Sequence, residues 1–229
     1  MIDPGLTLPS SIVFDLDGTL VDTAPDLCAA LNYVLEEEDR PPVAPDDLRH
    51  MVGHGARVLI IKSMAATGAP ATADDLDRLL PIFLEYYGAH VADRSVPFEG
   101  VPALLEILRD RGSRLAVCTN KPEALAVQLL DGLNLSRHFG AILGGDSLAV
   151  RKPDPEPLFE SIRRLGDTAD KALMVGDSRT DVETARAAQI PVICVSFGYT
   201  DCPVEDLNPD AIIDHFNEFG DAVARLRTV

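Results

Sequence analysis

The chain has no tryptophan, an aromatic fraction of only 5% and just four cysteines in 229 residues. Those four, Cys28, Cys118, Cys194 and Cys202, form no CxxC pair, which argues against a disulfide framework or a thiolate metal site. Cys118 and Cys194 fall inside apolar runs and are expected to be reduced core thiols. No apolar run approaches the roughly 20 residues that a membrane span needs. Met1 to Ser10 hold neither the basic cluster nor the long apolar stretch of a secretory leader, so a cytoplasmic protein is expected. Positive charge is scarce as well: 20 Lys and Arg stand against 37 Asp and Glu, a formal net charge of −17. Such a surface repels nucleic-acid phosphates and anionic lipid over most of its area, so no nucleic acid and no membrane is expected as a partner. An anionic ligand then requires a local positive site, built from few cations or completed by a metal ion.

What the chain does have is a near-average apolar fraction of 46% and a charged fraction of 25%. That is the composition of a globular protein long enough for one domain with a large insertion, or for two small ones. Short apolar runs recur, each followed by helical spacing: Ile12-Val13-Phe14, Leu115-Ala116-Val117-Cys118, Ala141-Ile142-Leu143, Ala172-Leu173-Met174-Val175, Val192-Ile193-Cys194-Val195 and, more weakly, Ala211-Ile212-Ile213. This alternation predicts βα units and a doubly wound parallel sheet. Pro102, Pro122 and Pro157 mark helix starts and Gly112 a helix stop.

The first gap breaks the rhythm, with about ninety residues where a crossover needs roughly a dozen. From Thr23, a candidate N-cap, Leu27, Leu31, Val34 and Leu35 repeat at helical spacing, and Leu76, Leu80, Phe83, Leu84 and Tyr87 repeat within Ala73 to Ala92. Pro41 to Pro45 and Gly53-His54-Gly55 read as turns, and Pro81 as a kink or boundary. The division expected is a Rossmann-like α/β core, residues 1–21 and 95–229, carrying an inserted α-helical domain over residues 22–94. A monomer and a homodimer both fit.

In open α/β sheets ligands bind beyond the carboxyl ends of the strands. The first run ends in Asp15-Leu16-Asp17-Gly18-Thr19, the second in Thr119-Asn120-Lys121, and the fourth in Gly176-Asp177-Ser178-Arg179-Thr180-Asp181. Lys152 lies in the loop leading toward the fourth run. Each piece has an ordinary structural role available, Asp17-Gly18 as a turn and Ser178 as a helix N-cap. Their joint arrival at one sheet edge is far less ordinary. Crowded carboxylates call for a cation, and hard oxygen donors suit Mg²⁺. Mg²⁺ with Lys152 would make an anion pocket in an acidic protein, and phosphate is the obvious guest.

Asp15-Leu16-Asp17-Gly18-Thr19-Leu20, Thr119-Asn120, Lys152-Pro153, and Gly176-Asp177 with Asp181 together resemble the four motifs of the haloacid dehalogenase superfamily, over nearly the whole chain. The helical insertion resembles that superfamily's cap, and Val52-Gly53-His54-Gly55-Ala56 is similar to the cap segment of phosphoglycolate phosphatases. Phe197-Gly198-Tyr199-Thr200 departs from the Tyr-Asn pair carried by many relatives. The resemblance implies that Asp15 is the nucleophile and Asp17 the acid–base. It further implies that Asp15, Asp17 through its carbonyl, Asp177 and Asp181 surround the metal, and that Thr119, Asn120 and Lys152 bind the phosphoryl oxygens, with Gly18 and Thr19 beside them. Asp17 favours phosphatase over dehalogenase chemistry.

The implied substrate is a small phosphorylated metabolite, 2-phosphoglycolate foremost. A nucleotide or sugar-phosphate phosphatase, a phosphomutase and a non-catalytic binding protein are the alternatives. Arg57 is the candidate for a substrate carboxylate. His50 and His54, four apart but without a third ligand, make a poor zinc pair.

Overall fold

A computed structural model describes residues 2–226; Met1 and residues 227–229, which fall within the expected core, lie outside it. Strand β1 (Ser11–Phe14) is followed by β2 (Val21–Asp22) and four helices, α1 (Ala24–Glu37), α2 (Pro45–Arg49), α3 (Ala56–Thr67) and α4 (Ala73–Ala89). The chain returns through β3 (Val96–Pro97) and α5 (Val101–Asp110) to β4 (Arg114–Cys118). Then come α6 (Glu123–Gly132), β5 (Ala141–Leu143), α7 (Glu156–Arg164), β6 (Ala172–Gly176), α8 (Arg179–Ala187), β7 (Val192–Val195), β8 (Ala211–Ile213) and α9 (Phe219–Leu226). All six apolar runs are strands, and they form one parallel sheet in the order β5-β4-β1-β6-β7-β8.

Strand β1 is central because its residues are apolar on both faces. Ile12 and Phe14 point into one core with Leu105 of α5, Leu129 of α6 and Phe219 of α9, while Val13 points into the other with Leu158 of α7 and Val182 of α8. Helices therefore cover both faces, and α1 to α4 join the first core as an inserted helical cap in which α1 packs on α4 and α4 on α3. The fold class read from the sequence is the one the chain adopts. Among the described residues no helix is long and apolar enough to cross a membrane.

Three local readings differ. Thr23 does occupy the N-cap position of α1, but its hydroxyl makes no capping bond and donates instead to Asp17 Oδ1 at 2.7 Å. Pro81 neither ends nor divides α4, which runs through it. The pair β2 and β3, Val21 against Pro97 and Asp22 against Val96, has no counterpart in the sequence reading. Two-residue strands are too short to show a period.

The two chain crossings between the cap and the sheet are stapled at one buried carboxylate. Asp26, 2% exposed in the first turn of α1, accepts from Arg94 N at 3.0 Å, Ser95 N at 2.8 Å and Ser95 Oγ at 2.7 Å. Its loss would leave the buried Ser95 N–H and hydroxyl and the part-buried Arg94 N–H without their acceptor. Asp26→Ala is therefore expected to destabilise by about 2–4 kcal/mol, read as a lower melting temperature, whereas replacement of the exposed Glu37 should leave it within about 0.5 kcal/mol.

Candidate active site

Because β1 lies between β4 and β6, its carboxyl end is where the connections diverge to opposite sides of the sheet, the usual place for a ligand. Asp15 follows β1 directly, its N–H bonded to Val175 O at 2.9 Å, and is 6% exposed. Asp177 follows β6 and Thr119 follows β4. One side chain from each of three adjacent strands thus meets at one edge.

Lys152 binds this cluster together from below. Its Nζ lies 2.6 Å from Asp181 Oδ1 and 3.0 Å from Asp15 Oδ1. Burial works against its charge, but Asp15 and Asp181 outweigh that and hold the ammonium protonated well above the ordinary lysine range. The second oxygen of Asp181 accepts from Ser178 Oγ at 2.7 Å and from the N–H groups of Ser178 and Asp177. The expected N-cap Ser178 occupies that position, and Asp181, accepting from its N–H and its hydroxyl, fixes the start of α8.

Asp177 is wedged in place. Its Oδ1 accepts from Thr19 Oγ1 and its Oδ2 from Tyr199 N, both at 2.6 Å. Gly18 sits at φ +86°, and a Cβ there would stand 2.5 Å from Asp177 Oδ2; a Cβ on Gly198 would stand 2.2 Å from Asp177 Cβ. Glycine is required at both positions because the backbone itself closes around this carboxylate.

Asp17 is held on a single oxygen. Oδ1 accepts from Thr23 Oγ1 at 2.7 Å and from Lys121 Nζ at 2.8 Å, which leaves Oδ2 toward the cavity that Asp17 lines. That cavity is walled on the sheet side by Asp15, Asp17, Thr119, Asn120 and Lys121, and on the cap side by apolar groups including Leu27, Leu59 and Phe83. Asn120 spans both, donating from Nδ2 to Gly53 O at 3.2 Å and to Lys152 O at 3.0 Å, while its buried Oδ1 has no partner among the described residues.

Burial and crowding set the electrostatics. Burial pushes the Asp15 carboxyl up, Lys152 pulls it back, and Asp181 and Asp17 push it up again, to about 7. Burial, with Asp181 and Asp15 nearby, raises Asp177 well above the carboxylate range. Asp15, Asp177 and Asp181 each bring an oxygen within 4.8 Å of the others. Asp15 Oδ1, although close to Lys152, completes no hydrogen bond and is buried. An orphaned oxygen among carboxylates that repel one another fits a hard divalent cation such as Mg²⁺.

Not every expected residue lines the cavity. Thr19 is wholly buried and serves Asp177, Gly18 packs on Asp177 and the Tyr199 ring, and Lys152, Asp177 and Asp181 lie deeper. Arg57 stands outside the cavity, its side chain 45% exposed and 3.6 Å from Asp77 Oδ1, because its position on α3 faces solvent. His54 contacts Thr180 Oγ1 at 3.3 Å and His50 contacts Thr200 O at 2.9 Å, so the two rings meet different partners on the core.

Nothing in the sequence alone gives a role to Lys121, nor to Tyr199, whose hydroxyl donates to Asp22 and accepts from Ala24 N at 2.8 Å. Arg49 completes that junction by pairing with Asp22 at 2.8 Å. Lys121 carried a signal, its place beside Thr119-Asn120; Asp22 and Arg49 carried none.

The raised carboxylates fix the sign of a pH effect. A native pKa above the unfolded value means that the folded protein holds a proton that the unfolded chain releases, so stability falls as pH rises between the two values. For Asp15 that window runs from about 4 to about 7. In chelator, the melting temperature is expected to drop from pH 5 to pH 8, Asp15→Asn should flatten part of the drop, and Mg²⁺ should restore stability at the higher pH. A flat wild-type profile without metal would contradict this electrostatic picture.

Known proteins are similar to this chain in sequence and in fold. Residues 12–195 match the model of the haloacid dehalogenase-like hydrolases. The phosphoglycolate phosphatase of Mesorhizobium japonicum is 48% identical over 206 residues, 90% of this chain and 91% of that protein. That of Caulobacter vibrioides is 45% identical over 219 residues, 96% and 92% of the two chains. The crystal structure of a predicted phosphoglycolate phosphatase from Haemophilus somnus superposes with a TM-score of 0.86 at 32% identity, covering 94% of this chain and 98% of that one. A parallel sheet with an inserted cap, an acidic cluster at the end of its central strand and a family match over most of the length agree, and the chain belongs to the haloacid dehalogenase-like hydrolase family.

Proposed function

We propose that this protein is a Mg²⁺-dependent phosphatase that hydrolyses a small phosphomonoester, 2-phosphoglycolate, through an aspartyl-phosphate on Asp15. The observation that carries the proposal is Asp15 itself. It is buried at the end of the central strand, its Oδ1 lies 3.0 Å from Lys152 Nζ, and it opens into a cavity roofed by the cap. The names of the relatives support the choice of substrate. In this reading the core comprises residues 1–21 and 95–229 and the cap residues 22–94, and the protein acts in the cytoplasm as a monomer or homodimer.

A carboxylate oxygen of Asp15 attacks phosphorus in line, the bond from phosphorus to the ester oxygen breaks, and Asp17 gives its proton to the departing alkoxide. Water then attacks the phosphorus of the aspartyl-phosphate, Asp17 takes the proton from that water, and Asp15 leaves as a carboxylate. Thr119 and Asn120 line the cavity where the phosphoryl oxygens would lie, and the cationic Lys152 neutralises charge beneath them. Asp15, Asp177 and the Asp17 carbonyl would hold the metal, with Asp181 beside them. When bound, Mg²⁺ supplies positive charge that offsets the repulsion between phosphate and carboxylates. Asp181, committed to Lys152 and Ser178, acts chiefly by fixing the ammonium and the loop. Gly18 and Thr19 act by seating Asp177. The exposed cap residue Arg57 would reach substrate only after the cap moves.

Phosphate release from 2-phosphoglycolate tests this reading. Wild-type turnover is expected to vanish in excess chelator and return with Mg²⁺, and Asp15→Asn should lower kcat roughly a thousandfold or more while the protein still folds. Turnover surviving in Asp15→Asn would remove Asp15 as nucleophile, and no turnover by the wild type would remove the activity.

A further inference from the structure

The phosphoryl transfer just described gives Lys121 no contact with substrate, yet this cation is tightly held in the cavity wall. It follows Thr119-Asn120 beyond β4, is 5% exposed, and places Nζ 2.8 Å from Asp17 Oδ1 and 2.6 Å from the Tyr87 hydroxyl of α4. The ammonium also stands 4.5 Å from the centre of the Tyr87 ring. Among the described residues lining the cavity it is the one positive charge, since Lys152 lies deeper and Arg57 outside. The cap contributes Leu27, Leu59 and Phe83 to the same walls.

An apolar roof makes charge at this point expensive unless it is paired. An ammonium has three N–H donors, and Asp17 and Tyr87 use two. The third remains for a ligand in the cavity. Its position is also chemically specific. Asp17 is the group that serves the ester oxygen, and Lys121 touches Asp17, so Lys121 stands where the atoms just beyond the ester oxygen must lie. In an acid phosphorylated on its α-hydroxyl, a carboxylate begins a single carbon beyond that oxygen.

We infer that Lys121 recognises the carboxylate of an α-phosphorylated acid, and so selects the substrate from the sheet side of the cavity rather than from the cap. The inference rests on the phosphatase reading and adds the residue that sets its specificity. Lys121 keeps Asp17 by its Oδ1 throughout, and the substrate carboxylate occupies the third donor. A phosphomonoester of the same size but without the carboxylate meets the same nucleophile and the same acid–base and leaves that donor without an anionic acceptor.

Two substrates separate this role from a merely positional one: 2-phosphoglycolate, and 2-hydroxyethyl phosphate, in which a hydroxymethyl group replaces the carboxylate. The wild type is expected to prefer 2-phosphoglycolate by more than tenfold in kcat/KM. Lys121→Met should raise KM for 2-phosphoglycolate roughly 10- to 100-fold and erase the preference, while any loss through Asp17 lowers kcat on both substrates alike. Lys121→Arg, which retains the charge, should keep much of the preference. Equal effects of Lys121→Met on the two substrates would overturn the inference, as would a wild type without preference. Should the methionine variant fail to fold, Lys121→Gln gives the same comparison. A wild type that hydrolyses 2-hydroxyethyl phosphate but not 2-phosphoglycolate sinks this inference and leaves the phosphatase chemistry standing; hydrolysis of neither sinks both.

Discussion

Four carboxylates and two lysines gathered at one end of a parallel sheet, all but Asp17 of them buried, are the constraint on which the rest of the molecule depends. Asp15, Asp177 and Asp181 crowd within 4.8 Å, and Lys152 reaches both Asp15 and Asp181. Each charge taken out of water costs free energy, and the site survives because nearly every lone pair is occupied. Asp181 is saturated by Lys152 and the start of α8, and Asp177 by Thr19 and the Tyr199 backbone. Among the described residues, the buried carboxylate oxygen left without a hydrogen bond belongs to Asp15. That buried, unsatisfied carboxylate is also the one placed to attack phosphorus, and the repulsion around it is the reason an acidic protein can hold a metal and an anion.

The sheet makes this arrangement cheap to build. Side chains on a strand alternate, so β1 commits Ile12, Val13 and Phe14 to two cores, and the chain must then leave the sheet at Asp15. Neighbouring strands deliver Thr119 and Asp177 to the same level without any long loop. The cap adds what the sheet edge lacks, an apolar roof that excludes water, joined to the core through Asp26, Asn120 and the Tyr199–Asp22–Arg49 junction.

The legible part of the sequence was the part governed by local rules. Six apolar runs gave six strands, and strand ends gave the reactive edge, because period and termination are written in adjacent residues. The deeper roles were not. Gly18 and Thr19 read as substrate contacts but seat Asp177, a consequence of the Tyr199 loop closing on them from a distant strand. Arg57 read as a ligand for a carboxylate, yet helix α3 turns it toward Asp77 and solvent. Pro81 reads as a kink or a boundary, yet α4 runs through it as one helix with Pro81 on its exposed side. Lys121 was visible as a strand-end cation, and only the approach of Asp17 and Tyr87 from other elements distinguishes it from a solvated lysine.

The central claim is that Asp15 becomes covalently phosphorylated. Rapid acid quenching of the enzyme with ³²P-labelled 2-phosphoglycolate and Mg²⁺, followed by peptide mapping, tests it most directly. The account predicts a transient, hydroxylamine-sensitive label confined to the peptide that contains Asp15. Label on another residue would contradict it, and so would turnover under single-turnover sampling with no labelled peptide at any time.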